Sequence, residues 1–83
     1  MNDQKISYHL VFEPESEGGY TVTVPAIPQC ITYGETFEEA TANAREAILL
    51  CIEDMLARGE KIPTDSQSPI LSFIELTPAE LHA

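Results

Sequence analysis

Three glutamates on a predicted helix are the first residues whose type and spacing suggest chemistry. Glu39, Glu46 and Glu53 stand seven residues apart, and converging carboxylates are what metal-dependent hydrolysis needs, around two ions about 4 Å apart. Seven residues make two helical turns, so neighbouring carboxylates lie roughly 10 Å apart along the axis. That is too far to share one metal pair, and a solvated helix face explains the pattern better. Glu13 has no acidic neighbour on the predicted strands, so we predict no catalytic residue and no cofactor.

Thiols and imidazoles are the other groups that could bind a metal. The chain contains Cys30, Cys51, His9 and His82, and zinc needs three or four such ligands within ~2.3 Å of one ion. None of the four stands at ligand spacing to another, so we predict no metal site. The thiols are expected to be small buried hydrophobic groups, with a disulfide as the alternative. His9 is expected to be a structural or surface residue on the outward face of a strand.

Length and charge restrict the class of partner. The chain has 83 residues, enough for one domain with a thin core, and its 14 acidic and 4 basic residues give a net charge of -10. Binding to nucleic acid depends on Lys and Arg, so direct DNA binding is not expected, and a basic protein is the better electrostatic match. The chain has no apolar run near the ~18 residues of a membrane span and no signal peptide. We therefore expect a cytoplasmic protein, stabilised as a homo-oligomer, either a dimer or a tetramer.

Three stretches alternate apolar and polar residues with the period of a strand. They predict strands over about 6–13, 20–24 and 30–34. The acidic stretch 14–19 ends in two glycines, which is typical of a turn, so the first two strands should form a hairpin.

A long helix follows the third strand. Thr36 with Glu39 three residues later predicts a capping box at its start, and Gly59 predicts its end, so the helix should span about 37–58. The apolar run at 70–76 is interpreted as a fourth strand in the same sheet. The order β-β-β-α-β predicts an α+β fold of two layers, with one long helix packed on a mainly antiparallel sheet.

The helix carries more apolar surface than one face needs. At ~100° per residue one face should pack on the sheet, and its residues are Phe37, Ala40, Ala44, Ala47, Ile48, Cys51 and Met55. Leu49, Ile52 and Leu56 lie on the flank of this face. They predict either a broad core stripe or a contact surface.

Several short motifs, in this order and spacing, resemble one known family. They are Gly18-Gly19-Tyr20, Val24-Pro25-Ala26-Ile27-Pro28, Cys30, Gly34-Glu35-Thr36 and the sequence of the predicted helix from Glu38 to Ile48. Together they resemble the N-terminal domain of the HicB-type antitoxins over residues 6 to about 65. The resemblance implies a partial ribonuclease-H-like fold without its active site. It also implies that the partner is a HicA-type toxin, a small ribonuclease that cuts messenger RNA using a histidine.

The chain departs from the family pattern in two places. Gln29 stands where the family commonly has glycine between proline and cysteine. Many members also carry a C-terminal DNA-binding domain, and the sequence leaves no room for one after Leu76. Direct DNA binding is therefore not carried over from the resemblance.

These observations favour the antitoxin of a type II toxin–antitoxin pair, which binds and occludes a basic ribonuclease toxin. The alternative is an orphan self-assembling binding module with no toxin and no catalysis. Acidic residues of the hairpin turn and acidic and apolar residues of the helix are the predicted partner-binding set: Glu13, Glu15, Glu17, Glu46, Leu49, Glu53 and Leu56.

Overall fold

The chain folds as a three-stranded antiparallel sheet with one long helix on one face. The computed structural model describes residues 5–65 and 71–82. Its elements are β1 (Val11–Pro14), β2 (Tyr20–Thr23), β3 (Ile31–Gly34), α1 (Phe37–Ala57) and α2 (Pro78–Leu81). The strands lie in the order β1-β2-β3, and α1 contacts β3 and β2. The predicted α+β class and its two layers are confirmed.

The first two strands form the predicted hairpin. Pro14 lies opposite Tyr20, and Val11 lies opposite Thr23. Between them Gly18 and Gly19 have φ angles of +103° and +81°, a left-handed conformation that side chains with a Cβ rarely adopt. The two glycines therefore close the turn that the sequence predicted.

The first strand is shorter than the predicted span of 6–13, because its pairing begins only at Val11. β2 ends at Thr23, and the carbonyl of Val24 accepts a hydrogen bond from the N–H of Ile27 in the following turn, at 2.9 Å. Residues 6–10 therefore have no neighbouring strand. Their alternation still holds, since Tyr8 and Leu10 are half-buried against the core.

The core consists of two adjoining clusters between the sheet and α1. One contains Val24, Ile27, Cys30 and Met55, and the other contains Val22, Ala40 and Ala44. The small alanines allow a close approach, and a Cβ on Gly34 would collide with the backbone of Ala40. The predicted sheet-facing stripe is thus confirmed at its alanines and Met55. Phe37 stacks on Phe12 at 4.6 Å. It lies at the rim of the core, however, and is 53% exposed.

Both ends of α1 are capped as the sequence indicated, with one difference. The Thr36 hydroxyl accepts from the Glu39 N–H at 3.0 Å, but the Glu39 carboxylate accepts from the N–H of Glu35 and not from that of Thr36. At the other end the N–H groups of Gly59 and Glu60 donate to the carbonyls of Leu56 and Met55. This is a Schellman motif, with Gly59 at φ +73°.

The predicted fourth strand at 70–76 is wrong for the single chain. Ile70 lies outside the described residues, and residues 71–76 form no strand. Leu71, Phe73 and Ile74 are 90%, 84% and 82% exposed. A strand needs hydrogen bonds to the edge of a neighbouring strand. Residues 71–76 do not pair with any strand of the described sheet. Thr77 then caps the single turn α2.

Candidate partner-binding surface

The three acidic residues of the predicted site near the hairpin are all exposed. Glu13 lies on β1, opposite Thr21. The Thr21 hydroxyl donates to the Glu15 carboxylate at 2.6 Å. Glu15 and Glu17 both line a shallow hollow of about 490 Å³ at the turn. The structure therefore brings these two carboxylates together, with Glu13 on the neighbouring strand.

The hollow contains two residues that the sequence analysis did not include. Glu35 and Tyr33 complete its lining, and the Tyr33 hydroxyl donates to the carbonyl of Gly18 at 2.9 Å. Partial burial, and then the carboxylates of Glu35, Glu15 and Glu39, raise the pKa of Tyr33. The signal for Glu35 was its position after β3, because antiparallel pairing returns the end of β3 to the hairpin turn.

The four predicted helix residues form one continuous stripe on the outer side of α1. Glu46, Leu49, Glu53 and Leu56 lie within about 80° of one another at ~100° per residue, and all are exposed. Leu49 and Leu56 are each 54% exposed. We call these four residues the helix stripe. Leu50, at 63% exposure, lies on the other flank of α1 and was not predicted.

The hairpin acids and the helix stripe are separate patches. Phe37, at the start of α1, stacks on Phe12 of β1, so the beginning of the helix lies beside the hairpin. Glu46 follows nine residues later, which places it ~14 Å along the helix, and Leu56 lies ~28 Å along. One small partner surface would therefore engage one patch or the other, whereas a larger partner could span both.

A groove of about 700 Å³ runs between the extended residues 6–10, which precede β1, and the flank of α1. Its large apolar lining residues are Ile6, Tyr8 and Leu10 from this segment, Ile48, Leu49 and Ile52 from α1, and Ile62 from the segment after α1. Its charged residues, Glu38 and Arg45, are opposite in sign. We call it the β1 groove. It shares Leu49 with the helix stripe, so the predicted apolar contact surface continues toward the sheet edge.

One polar cluster ties the segment after α1 to the first strand. The Asp65 carboxylate accepts from the backbone N–H of His9 and also contacts its Nδ1, both at 2.6 Å. These hydrogen bonds lower the pKa of Asp65. The Tyr8 hydroxyl donates to the carbonyl of Pro63 at 2.6 Å, and burial, then the Asp65 charge, raise the pKa of Tyr8. His9 is therefore a structural residue at the surface.

The two cysteines are free thiols in contact within the core. Cys30 is 2% exposed and Cys51 is half-buried. Burial, and then the neighbouring Cys51 thiol, raise the pKa of Cys30 to about 11. A thiol with so high a pKa is a poor nucleophile and a poor metal ligand at neutral pH.

Neither a metal site nor a membrane-spanning helix is present among the described residues. Across residues 5–65 and 71–82, no group of three or more His, Cys, Asp or Glu side chains is placed to hold a metal ion. No helix in that part of the chain has the length and hydropathy to cross a membrane.

Comparison with known proteins gives the class of molecule that this fold and surface define. The N-terminal domain of the antitoxin HicB of Burkholderia pseudomallei, a crystal structure, superposes with a TM-score of 0.62 at 32% identity. The superposition covers 92% of this chain and 79% of that one. A UPF0150 protein of Thermoplasma acidophilum is 40% identical over 65 residues, 78% of this chain and 94% of that protein.

Antitoxin HicB 1 of Photorhabdus laumondii is 40% identical over 60 residues. The match covers 72% of this chain and 39% of that antitoxin, so this chain corresponds to about two fifths of its length. The model of the HicB-like antitoxins of bacterial toxin–antitoxin systems matches residues 8–76. The chain belongs to this family.

Proposed function

We propose that this chain is the antitoxin of a type II toxin–antitoxin pair and that it binds and occludes a basic, mRNA-cleaving toxin of the HicA type. The observation that carries the proposal is the helix stripe, an exposed row in which two leucines alternate with two glutamates on a member of the HicB-like antitoxin family. The proposed action is steric, requires no catalysis or cofactor, and takes place in the cytoplasm without direct contact to DNA.

The two kinds of residue in the stripe have different tasks in this proposal. Rim carboxylates such as Glu46 and Glu53 attract a basic partner and mainly raise the association rate. Leu49 and Leu56 become buried on binding and supply most of the affinity, as a few anchors do in most interfaces. The hairpin patch of Glu13, Glu15 and Glu17 adds to the attracting field, because only 4 basic residues offset the 14 acidic residues of the chain.

A second function has its own supporting observation. The apolar β1 groove and the exposed segment 71–76 support the proposal of an orphan self-assembling module without a toxin, because exposed apolar surface of this kind favours contact with another chain. A neighbouring reading frame for a short basic protein favours the antitoxin, and its absence favours the orphan module.

Co-expression with the adjacent reading frames of the source genome tests the proposal directly. Each frame is expressed alone and with this chain, growth is followed, and complexes are recovered on the tagged chain. We expect one frame to arrest growth alone, to be harmless with this chain, and to co-purify with it. If no frame binds or harms growth, the orphan module replaces the antitoxin.

Matched leucine variants then test the helix stripe. Leu56→Ser is expected to weaken toxin binding at least tenfold, since loss of an interface anchor costs about 2 kcal/mol, and to restore growth arrest. Leu50→Ser removes a leucine of similar exposure from the other flank of α1 and should bind as the wild type does. Equal losses in both variants, measured by calorimetric titration, would remove the stripe from the proposal.

A further inference from the structure

Two thiols meet between the sheet and α1, and the proposed function uses neither of them. Cys30 is buried directly before β3, and Cys51 is half-buried on α1. Cys51 packs against the core cluster that contains Cys30. After burial, the Cys51 thiol is the next cause of the raised pKa of Cys30, so the two sulfur atoms are neighbours. Both are free thiols in this structure.

Both cysteines are held in place by their surroundings. At ~100° per residue, Cys51 lies within about 40° of Ala44 and Met55 around α1, and both of these residues are buried. Cys30 is held from the other side, because its backbone N–H donates to the carbonyl of Ile27 at 2.8 Å. A disulfide forms only between cysteines whose backbones are already close and suitably directed, and two packed elements that meet at these thiols supply that closeness.

The two thiols differ in access. Burial raises the pKa of Cys30 to about 11, so this thiol is a poor first target for an oxidant. Cys51 is only half-buried, and a molecule as small as hydrogen peroxide can reach it from solvent. Redox-sensing cysteines commonly combine access to solvent with a resolving thiol beside them. Cys51 has both, and Cys30 is the resolving thiol.

We propose that Cys30 and Cys51 form a reversible disulfide when the chain meets a peroxide, and that this bond fastens α1 to the start of β3. The Cys51 thiolate attacks one oxygen of hydrogen peroxide and breaks the O–O bond, which gives a sulfenic acid and hydroxide. The hydroxide takes up the proton that the Cys51 thiol gave up. The Cys30 sulfur then attacks the Cys51 sulfur, and the displaced hydroxide leaves as water with the Cys30 proton. Two thiols are oxidised, and one peroxide is reduced to two water molecules.

Contact between the two side chains drives the second step, although Cys30 reacts poorly with reagents in solution. Held beside the sulfenic acid, the Cys30 thiol acts at a high effective concentration. Its attack also prevents further oxidation of Cys51 to sulfinic acid, which is irreversible. Reducing thiols reopen the bond by exchange, so the link is temporary in a reducing compartment.

The bond would stabilise the fold and leave the helix stripe free. It closes a loop of about 22 residues, and such a link raises the melting temperature of a small domain by roughly 10 °C because it restricts the unfolded chain. Leu49 and Leu56 lie roughly 140–160° around the helix from Cys51. Peroxide would therefore prolong the life of the folded chain without covering its partner surface, a consequence that rests on the proposed function, whereas the bond itself does not.

Treatment of the full folded chain with hydrogen peroxide tests the bond. Non-reducing mass spectrometry should show a single chain that has lost two hydrogen atoms, with one cross-linked peptide pair that contains Cys30 and Cys51. Dithiothreitol should reverse the change. The linked chain should melt roughly 10 °C above the reduced chain.

Two single-cysteine variants separate the two roles. In Cys30→Ala a sulfenic acid should accumulate at Cys51 and be captured by dimedone, whereas in Cys51→Ala the buried Cys30 should stay reduced. Neither variant should gain melting temperature from peroxide. Circular dichroism checks that both are folded, and Cys30→Ser, closer in size to cysteine, replaces Cys30→Ala if that variant is not.

Several results would overturn the disulfide. They are a wild type that keeps both thiols, that goes on to sulfinic acid at Cys51, that links two chains together, or that melts no higher once linked. Cross-linking of the wild type that is not lost in Cys51→Ala would do the same. None of these measurements involves a toxin, so the antitoxin proposal stands or falls separately.

Discussion

Gly34 lies where α1 comes closest to the sheet. It is buried at the end of β3, and the backbone and Cβ of Ala40 occupy the space that its own Cβ would need. Its φ is not in the left-handed region, so the requirement for glycine comes from contact and not from backbone conformation. Gly59 is the opposite case, with φ +73° and nothing within 4 Å of an added Cβ.

Gly34→Ala is therefore expected to lower the free energy of unfolding by about 2–3 kcal/mol, as overpacking against backbone does. Gly59→Ala should cost only about 1 kcal/mol, the strain of a left-handed alanine. Urea unfolding of both variants gives the comparison. If Gly34→Ala proved as mild as Gly59→Ala, the close contact between β3 and α1 would be looser than described.

The Asp65 carboxylate predicts a pH dependence. Hydrogen bonds from His9 lower its folded pKa, so its contribution to stability is fully present above the unfolded pKa of about 3.9. That contribution is lost as the pH falls through the lower folded value. Asp65→Asn should be less stable than the wild type at pH 6, and the gap should narrow as the pH falls below 4.

Urea unfolding from pH 6 down to pH 2.5 measures this gap. Asp54→Asn is the matched control, since it removes a carboxylate of α1 whose partner is the exposed Arg58, and exposed pairs of this kind contribute little. A gap for Asp65→Asn that stays constant with pH would contradict a lowered folded pKa.

Among the elements, α1 depends on a single side-chain cap at its start. The Thr36 hydroxyl satisfies the N–H of Glu39, one of four N–H groups that the first turn leaves free. Thr36→Ala should therefore cost about 1 kcal/mol of stability.

Thr41→Ala is the control on the same helix. Its hydroxyl donates to the Phe37 carbonyl within the helix, and alanine is the better helix former, so we expect no loss. Thermal unfolding followed by circular dichroism at 222 nm compares the two variants. Equal melting temperatures for Thr36→Ala and the wild type would mean that the Glu39 N–H finds another acceptor.

Most elements were predictable from the sequence because their signals are local. Hairpin glycines, the Thr36 cap and the glycine after α1 act within a few residues, and each lies where predicted. The extent of the first strand was not predictable, because pairing depends on where β2 ends. The predicted strand at 70–76 was wrong over its described residues 71–76, because an apolar run does not by itself specify a neighbouring edge with which to pair.

The candidate site divides in the same way. The helix stripe follows from the period of the helix, which places Glu46, Leu49, Glu53 and Leu56 on one side of α1. The hairpin acids are a local cluster too, but their neighbour Glu35 comes from β3 and needs the sheet register to find it. The distance between the hairpin acids and the helix stripe depends on how α1 packs on the sheet, and neither local sequence pattern specifies that packing.

For the whole molecule, the net charge of -10 predicts opposite salt effects on two associations. Binding to a basic toxin should slow as salt screens the attraction, with an association rate roughly tenfold lower at 0.5 M than at 0.05 M. Self-association, the alternative function, should strengthen, because the same salt screens repulsion between like chains. Stopped-flow binding and sedimentation across this salt range measure the two effects.

Two charge-matched variants locate the attracting surface. Glu46→Gln with Glu53→Gln and Glu15→Gln with Glu17→Gln each remove two charges, one pair from the helix stripe and the other from the hairpin hollow. If the toxin docks on the stripe, the first variant should slow association more than the second. The reverse order would move the docking site to the hairpin.

The reactivity of the buried Cys30 thiol can report how often the core opens. With a pKa of about 11, only ~0.1% of this thiol is thiolate at pH 8, whereas a thiol freed by unfolding, with a pKa near 8.5, reacts readily. The rate at which an alkylating reagent marks Cys30, read site by site by mass spectrometry, therefore measures how often the core opens. A bound partner that favours the folded chain would slow this rate by mass action, so occupancy could be followed in a crude extract without any engineered label.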